Sequence, residues 1–177
     1  MNKAVLLAVL SVVAFFSGSI PYGLIIAKAK GIDIRKVGSG NIGATNVMRA
    51  LGTKLGLFAF FLDVLKGALP SILANVLLRE KLGGLDPQAQ WFIVGFFSII
   101  GHMLSPFVGF KGGKGIATGL GASLGAAPFQ GLSAFAVFIV VLAVSRYVSL
   151  ASVVAIWAAV GFAASMPFFI PGQSLQI

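Results

Sequence analysis

Apolar residues run almost without interruption along this chain, and the short polar stretches between the runs mark where it turns. Met1 to Ala29 holds the first run, which continues past Ser17-Gly18-Ser19 through Tyr22-Gly23-Leu24-Ile25-Ile26. Lys3 gives a thin positive start, but a signal core is shorter than this run, so it predicts a spanning helix. Further runs predict spans over Leu55 to Leu78, Trp91 to Val108, Pro128 to Val144 and Leu150 to Ile170. Ile116 to Ala127 is also apolar, yet too short for a square crossing, which needs ~20 residues. Its small pairs Gly115/Gly119 and Gly121/Gly125 allow close packing on a neighbour, so a tilted or buried crossing is expected. The pattern predicts an all-α, polytopic transmembrane helix bundle with six spans, one of them short. It forms a single integral membrane domain over residues 1–177, without repeat, low-complexity tract or linker.

Composition sharpens that reading. Hydrophobic residues make up 58% and charged residues 10%, too few charges to coat a soluble globule or to keep a chain disordered. The chain has no cysteine and one histidine. Disulfides, thiol nucleophiles, iron–sulfur clusters, thiolate zinc and multi-histidine metal sites are thereby excluded, and neither metal nor cofactor is expected.

The formal charge is +9, from 13 Lys and Arg against four acids. In a membrane chain this points to basic loops and anionic surfaces or substrates rather than to nucleic acid. One set of alternate loops holds Lys28, Lys30, Arg35, Lys36, Arg49, Lys54, Lys111, Lys114 and Arg146, nine of the 13. The other side has Lys3, Arg79 and Lys81, and Lys66 falls inside a span. The positive-inside rule puts the nine-charge face in the cytoplasm and the N-terminus outside, provided that the short segment crosses.

The chemistry is concentrated in those basic loops. Residues 38–46 read GSGNIGATN. Glycines let successive N–H groups turn toward one anion. The string matches G-x-G-x-x-G formally, but no strand or βαβ unit surrounds it. Ala44 stands where a phosphate loop needs lysine, which argues against a nucleoside triphosphate. An anion cradle opening a helix near Ala44–Arg49 remains, with Arg49 as a bidentate phosphate ligand; a plain polar loop is the alternative. Gly109-Phe110-Lys111-Gly112-Gly113-Lys114-Gly115 lets two lysines approach one phosphate ahead of a second helix start. Ser145-Arg146-Tyr147-Val148-Ser149-Leu150-Ala151-Ser152 adds an arginine and three hydroxyls.

These strings carry a resemblance. GSGNIGATNVMRALG, GH followed by FVGFKGGKGIATGLG, and SRYVSLAS occur in the order seen in the bacterial acyl-phosphate-dependent glycerol-3-phosphate acyltransferase family, which the chain resembles over nearly its whole length. FLDVLKG at Phe61–Gly67 is similar to the family's second span. The resemblance implies transfer of a fatty acyl group from acyl phosphate to the 1-hydroxyl of glycerol 3-phosphate, giving lysophosphatidic acid and phosphate, the first step of bacterial phospholipid synthesis. The His-x4-Asp pattern of acyl-CoA-type acyltransferases is absent, since Phe107 stands five after His102. Members usually carry a further span and a basic tail with a His-Arg-x-Asn pattern. This chain ends at Pro171-Gly172-Gln173-Ser174-Leu175-Gln176-Ile177, so those elements are expected to be missing from it.

Carried onto this sequence, the motifs give Ser39, Arg49, Lys114 and His102 as candidate catalytic residues. Candidate substrate-binding residues are Gly38, Gly40, Asn41, Gly43, Thr45, Asn46, Lys111, Gly112, Gly113, Arg146, Ser149 and Ser152. His102 is either a general base or a neutral packing residue. Asp63 and Lys66, three apart in an apolar helix, are either a structural pair or substrate ligands. The expected partners are acyl phosphate, glycerol 3-phosphate and the bilayer of the bacterial inner membrane. The main alternative is a small transporter or channel for an anionic phosphorylated metabolite; a non-catalytic subunit of a lipid-synthesis complex is a third.

Overall fold

The computed structural model describes residues 2–169, with side-chain surroundings up to residue 163. The expected end of the last span at Ile170, and the segment after it, lie outside the described residues. Eight helices follow one another: α1 Lys3–Ser19, α2 Tyr22–Ala29, α3 Ala44–Leu51, α4 Thr53–Leu77, α5 Pro87–Met103, α6 Ile116–Ala126, α7 Pro128–Ser145 and α8 Val148–Phe169. The described residues form no strand beyond an isolated bridge between Leu82 and Leu85. Four segments are long and apolar enough to cross a membrane: Lys3–Ala29, Thr53–Leu77, Pro87–Val108 and Pro128–Ser145. Ile116–Ala126 and Val148–Ala163 are shorter apolar helices. The helical character and the apolar segments of spanning length expected from the sequence are therefore present, while the count of six spans is not fixed by helix length.

The chain divides into two compact units, Met1–Ala126 and Ala127–Ile177. In the second, α7 and α8 pack on each other and leave Phe129, Val144 and Trp157 exposed, a surface suited to lipid rather than water.

In the first unit, the predicted opening span is two helices rather than one. Pro21 has no N–H to continue the ladder, and Ile20 before it is extended at φ −63°, ψ 117°. Ile20 O accepts locally from Tyr22 N at 3.1 Å, and side chains from distant segments add to the carbonyls there. Ser105 Oγ donates to Ser19 O at 2.6 Å and Lys66 Nζ donates to Ile20 O at 2.8 Å. A second proline, Pro70, sits inside α4 and removes the amide that would reach Lys66 O. Ser17 Oγ donates to that carbonyl at 3.4 Å.

Close helix approach depends on glycine. A Cβ on Gly121 would collide with Val64 O, and one on Gly125 would lie 2.7 Å from Ala68 O, so α6 lies directly against the backbone of α4. Residue numbers rise together along this contact, which makes α4 and α6 parallel. Gly18 meets the backbone of Ser98, and Ser19 meets Gly101 and Ser105, so α1 and α5 are also parallel. Ser17 lies by Lys66 while Leu10 clusters with Ala74, so α1 runs against α4. The loops that precede α4 and α6 consequently share one end of the unit. At the other end, Lys3 at the start of α1 hydrogen-bonds the Glu80 side chain and holds that carboxyl below its ordinary range. The tether is complete above that range and is lost as pH falls through the lowered value. Gln90 Nε2 donates to Glu80 O and Leu85 O, and Trp91 Nε1 donates to Leu78 O, which ties the α4–α5 connection to α5.

The contrast between two α6 glycines is testable. Gly121→Val should lower the melting temperature of the detergent-purified protein sharply, because overpacking costs about 1–3 kcal/mol or more where only backbone is available to move. Gly119→Ala should melt close to wild type, since the nearest atom to its Cβ would be Ile99 Cδ1 at 3.6 Å. Equal melting temperatures for the two variants would refute the close α4–α6 packing.

Candidate functional site

The first glycine-rich loop is built around one buried amide. Asn46, 2% exposed in the first turns of α3, donates from Nδ2 to Ile34 O at 3.0 Å, Val37 O at 2.9 Å and Asn41 O at 2.9 Å. Its Oδ1 accepts from Ser39 N at 3.0 Å. Asn41 Oδ1 accepts from Gly43 N at 2.9 Å. Gly38 and Gly40 have φ of 58° and 68°, left-handed values that let the chain turn over Asn46. Gly43 is the N-cap of α3. Ser39, Thr45 and Arg49 are exposed around this scaffold. The sequence grouped Asn46 and Asn41 with the substrate ligands. The Asn46 side chain is committed on both polar atoms to backbone groups, and Asn41 Oδ1 accepts from the loop's own backbone, so both shape the loop from within.

The second loop docks on the end of α5. The last carbonyls of a helix lack intrahelical partners. Here His102 O accepts from Gly113 N at 3.1 Å and Met103 O from Gly112 N at 3.0 Å. Lys111 and Lys114 stay exposed on either side of the glycine pair, and Gly115 takes φ 77° just before α6. Arg35 joins the two loops: its guanidinium donates to Val108 O and Lys111 O, both at 3.1 Å. Asp33 receives Arg35 N at 3.2 Å and faces Lys36 at 3.6 Å, so it orders its own turn as well as balancing charge.

Beneath the loops lies a buried polar group. Lys66 Nζ is 2.8 Å from Asp63 Oδ1, and both side chains are almost fully buried. The same Nζ sits over the Tyr22 ring, 5.6 Å from its centroid. His102 Nδ1 is 3.8 Å from Asp63 Oδ1, too long for a direct hydrogen bond. On its other side, the His102 ring lies against Gly113, where a Cβ would come within 2.9 Å of Cε1. His102 is 6% exposed. Expected among the catalytic residues, it is seated under the second loop, because Gly113 has no side chain to keep the ring away.

The structure thus brings together Gly38, Ser39, Gly40, Gly43, Thr45 and Arg49 in the first loop and Lys111, Gly112, Gly113 and Lys114 in the second. Arg146, Ser149 and Ser152 belong to the second unit. Arg146 ends α7 with φ 60°, and Ser149 is exposed. Ser152, 5% exposed, gives its hydroxyl to Val148 O at 2.8 Å, an internal bond that a substrate ligand would have to break. Arg35 was counted only as loop charge. Nothing in spacing marks it, since its acceptors lie more than 70 residues away. Between α5 and α6 opens a groove of about 350 Å³ lined by Phe92, Ile93, Phe96, Ile99, Gly119, Ala122 and Ser123.

Asn46→Ala should leave Asn41 O and Ser39 N without their partner and strip the side-chain donor from Ile34 O and Val37 O, which keep the amides of Val37 and Gly40. Each buried group left unpaired costs roughly 1–3 kcal/mol. Proteolysis within residues 31–43 should therefore accelerate strongly while the helices remain; an unchanged cleavage rate would exclude Asn46 as the organiser of the loop.

Comparison with known proteins identifies the fold family. A profile of the family described as Glycerol-3-phosphate acyltransferase matches residues 8–175. A Glycerol-3-phosphate acyltransferase of Geobacter sulfurreducens is 48% identical over 162 residues, 92% of this chain and 76% of the relative. One from Aquifex aeolicus is 49% identical over 146 residues, 82% of this chain and 73% of the relative. The crystal structure of PlsY (YgiH), an integral membrane glycerol 3-phosphate acyltransferase in its glycerol 3-phosphate form, superposes with a TM-score of 0.81. It has 43% identity and covers 96% of this chain and 79% of that one. Its lysophosphatidic acid form superposes at 0.78, with 44% identity over 88% of this chain and 74% of that one. With the two linked glycine-rich loops in place and a profile match over almost its full length, this chain belongs to the glycerol-3-phosphate acyltransferase family.

Proposed function

We propose that this protein transfers a fatty acyl group from acyl phosphate to the 1-hydroxyl of glycerol 3-phosphate, giving lysophosphatidic acid and inorganic phosphate. The carrying observation is the pair of glycine-rich loops that Arg35 fastens together at one end of the unit, with Arg49, Lys111 and Lys114 exposed on them. No acid lies in either loop's motif, residues 38–49 and 109–115. Backbone amides and cations converging there suit phosphate groups and a developing oxyanion. Relatives of known structure carry glycerol 3-phosphate and lysophosphatidic acid in their described forms, which supports the same acceptor and product for this chain.

Acyl phosphate is the donor that such a site suits. Its phosphate already leaves easily, so positioning and charge stabilisation are the main tasks left to the protein. The acceptor hydroxyl oxygen bonds to the acyl carbon, and the carbon–oxygen bond to phosphate breaks. The hydroxyl proton passes to phosphate, either the acceptor's own or the departing one. No general base of the protein is required, which fits the burial of His102. Ser39, Arg49 and Lys114 are the groups proposed to contact the reacting phosphates, with the backbone of Gly38, Gly40, Gly43, Gly112 and Gly113 around them. Thr45 and Lys111 are proposed as further ligands. The apolar groove between α5 and α6 suits an alkyl chain.

The nine basic residues on one set of loops support a site on the cytoplasmic face of the bacterial inner membrane, with the N-terminus outside. Parallel packing of α1 with α5 and of α4 with α6 supports the common end. Single cysteines at Ser39 and Lys114 should resist an impermeant maleimide in intact cells and react in inverted vesicles. Labelling of the Lys114→Cys variant in intact cells would reverse the topology.

Purified protein should form lysophosphatidic acid from glycerol 3-phosphate and palmitoyl phosphate, with negligible rate from palmitoyl-CoA. Efficient use of palmitoyl-CoA alone, or uptake of glycerol 3-phosphate into sealed vesicles without product, would overturn the reading. Lys114→Ala and Arg49→Ala each remove a charge-assisted hydrogen bond of roughly 1.5–3 kcal/mol, so kcat/KM should fall about 10- to 150-fold. Lys114→Arg should recover only part, because a planar fork does not replace a point charge. Lys81→Ala, which breaks only the exposed Lys81–Asp86 pair at the opposite end, should stay near wild type. Normal constants for Lys114→Ala and Arg49→Ala would remove the two cations from the mechanism.

A further inference from the structure

We propose that Asp63, Lys66 and His102 form a buried positioning relay that sets the Lys111–Gly115 loop for the phosphate of the small acceptor, without touching substrate. The proposal rests on the acyl-transfer reading above and assigns work to three groups that the reaction itself does not use. Ionisable side chains inside a span are costly and persist where they are paired or functional. These three are linked end to end, from a break in one helix to the backbone of a substrate loop.

The fixed end is the α1–α2 break, where Ile20 O accepts from Lys66 Nζ at 2.8 Å. Lys66 holds Asp63 at 2.8 Å one turn earlier on α4. The Asp63 carboxylate faces His102 Nδ1 on α5 at 3.8 Å, and that nitrogen is buried without a hydrogen-bond partner among the described residues, so the carboxylate's field favours the tautomer with its proton on Nδ1. Nε2 abuts Gly113, whose missing Cβ leaves the space that the ring fills. The backbone of Gly112 and Gly113 is meanwhile bonded to the carbonyls of Met103 and His102, and Arg35 holds Lys111 O. The backbone bonds fix the height of the loop over α5. The ring fixes its lateral position, and among the described residues Asp63 is the charged side chain that faces its Nδ1. Loss of the carboxylate frees the ring and lets the glycine pair shift, which displaces Lys111 and Lys114 from a shared phosphate. A misplacement near 1 Å can cost up to about 100-fold.

The test compares wild type, Asp63→Asn, His102→Ala, Gly113→Ala and the double variant His102→Ala/Gly113→Ala as purified full chains. Melting temperature, calorimetric binding of glycerol 3-phosphate, and KM for each substrate are measured. Asp63→Asn should weaken glycerol 3-phosphate binding and raise its KM by about 10- to 100-fold. Its melting temperature should fall, because buried Lys66 loses its counter-charge, while its KM for palmitoyl phosphate should stay close to wild type. Gly113→Ala should show the same selective loss, because its Cβ drives into the His102 ring. The double variant, with that ring removed, should bind at least about tenfold more tightly than Gly113→Ala. Wild-type affinity in Asp63→Asn, or a double variant no better than Gly113→Ala, would overturn the relay. So would a uniform fall in stability and in both substrates' constants, the signature of a merely structural pair. If Asp63→Asn does not fold, the comparison of Gly113→Ala with the double variant decides alone. Wild-type protein that binds glycerol 3-phosphate yet forms no lysophosphatidic acid would sink the acyl-transfer reading and leave the relay to be judged by binding. Wild-type protein that does not bind it would sink both.

Discussion

The first unit depends on one constraint: backbone groups freed by proline inside an apolar bundle must find partners on other helices. Pro21 divides the first apolar run, and Pro70 interrupts the ladder of α4. In lipid there is no water to satisfy the freed carbonyls, and each would cost several kcal/mol if left alone. Lys66 sits at the crossing of both breaks. Its ammonium reaches Ile20 O, and its own carbonyl, released by Pro70, receives Ser17 Oγ. Ser105 closes the remaining gap at Ser19. A charge in this place needs a counter-charge, and Asp63 supplies it one turn away. Two helix breaks and one ion pair are thus a single solution rather than three separate features.

Small residues make that solution reachable. Side-chain length would hold α4 away from α6 and α1 away from α5, and polar reach across those gaps would fail. Glycine at Gly18, Gly101 and Gly121 brings backbones into direct contact, the mode of association available where there is no hydrophobic drive between helices. Because each contacting pair is parallel, the two glycine-rich loops emerge at the same end. A bond network that began as satisfaction of helix ends then continues into the loops, through the carbonyls of His102 and Met103 and through Arg35.

This organisation suits a reaction in which placement matters more than proton chemistry. The exposed cations stand on loops under which Asn46 and His102 are buried, so the polar groups packed beneath the loops are separate from those proposed to meet substrate. Buried, bonded groups hold position better than mobile ones, and exposed lysine and arginine remain free to follow a phosphate. The groove between α5 and α6 is nearly all apolar and lies beside the helix that the second loop opens. An acceptor held by the loops and a chain held in lipid-like surroundings would meet near the start of α6.

Much of this was legible in the sequence. Apolar run lengths gave the all-α membrane class and most helix positions, because a span of fixed thickness imposes its own period. Glycine-rich strings flanked by lysine and arginine marked both loops, because backbone amides and cations are what bind phosphate. Charge inside an apolar run singled out Asp63 and Lys66. Tertiary structure alone decided what those residues do. Whether Asn46 faced substrate or its own loop depended on three carbonyls, those of Ile34, Val37 and Asn41, brought under one amide. The seat of His102 under the second loop depended on the missing side chain of Gly113. Arg35 gained its role from acceptors on a distant segment. The sequence determined which groups were present and which could lie in lipid; their partners were decided by helix approach distances, which no local pattern encodes.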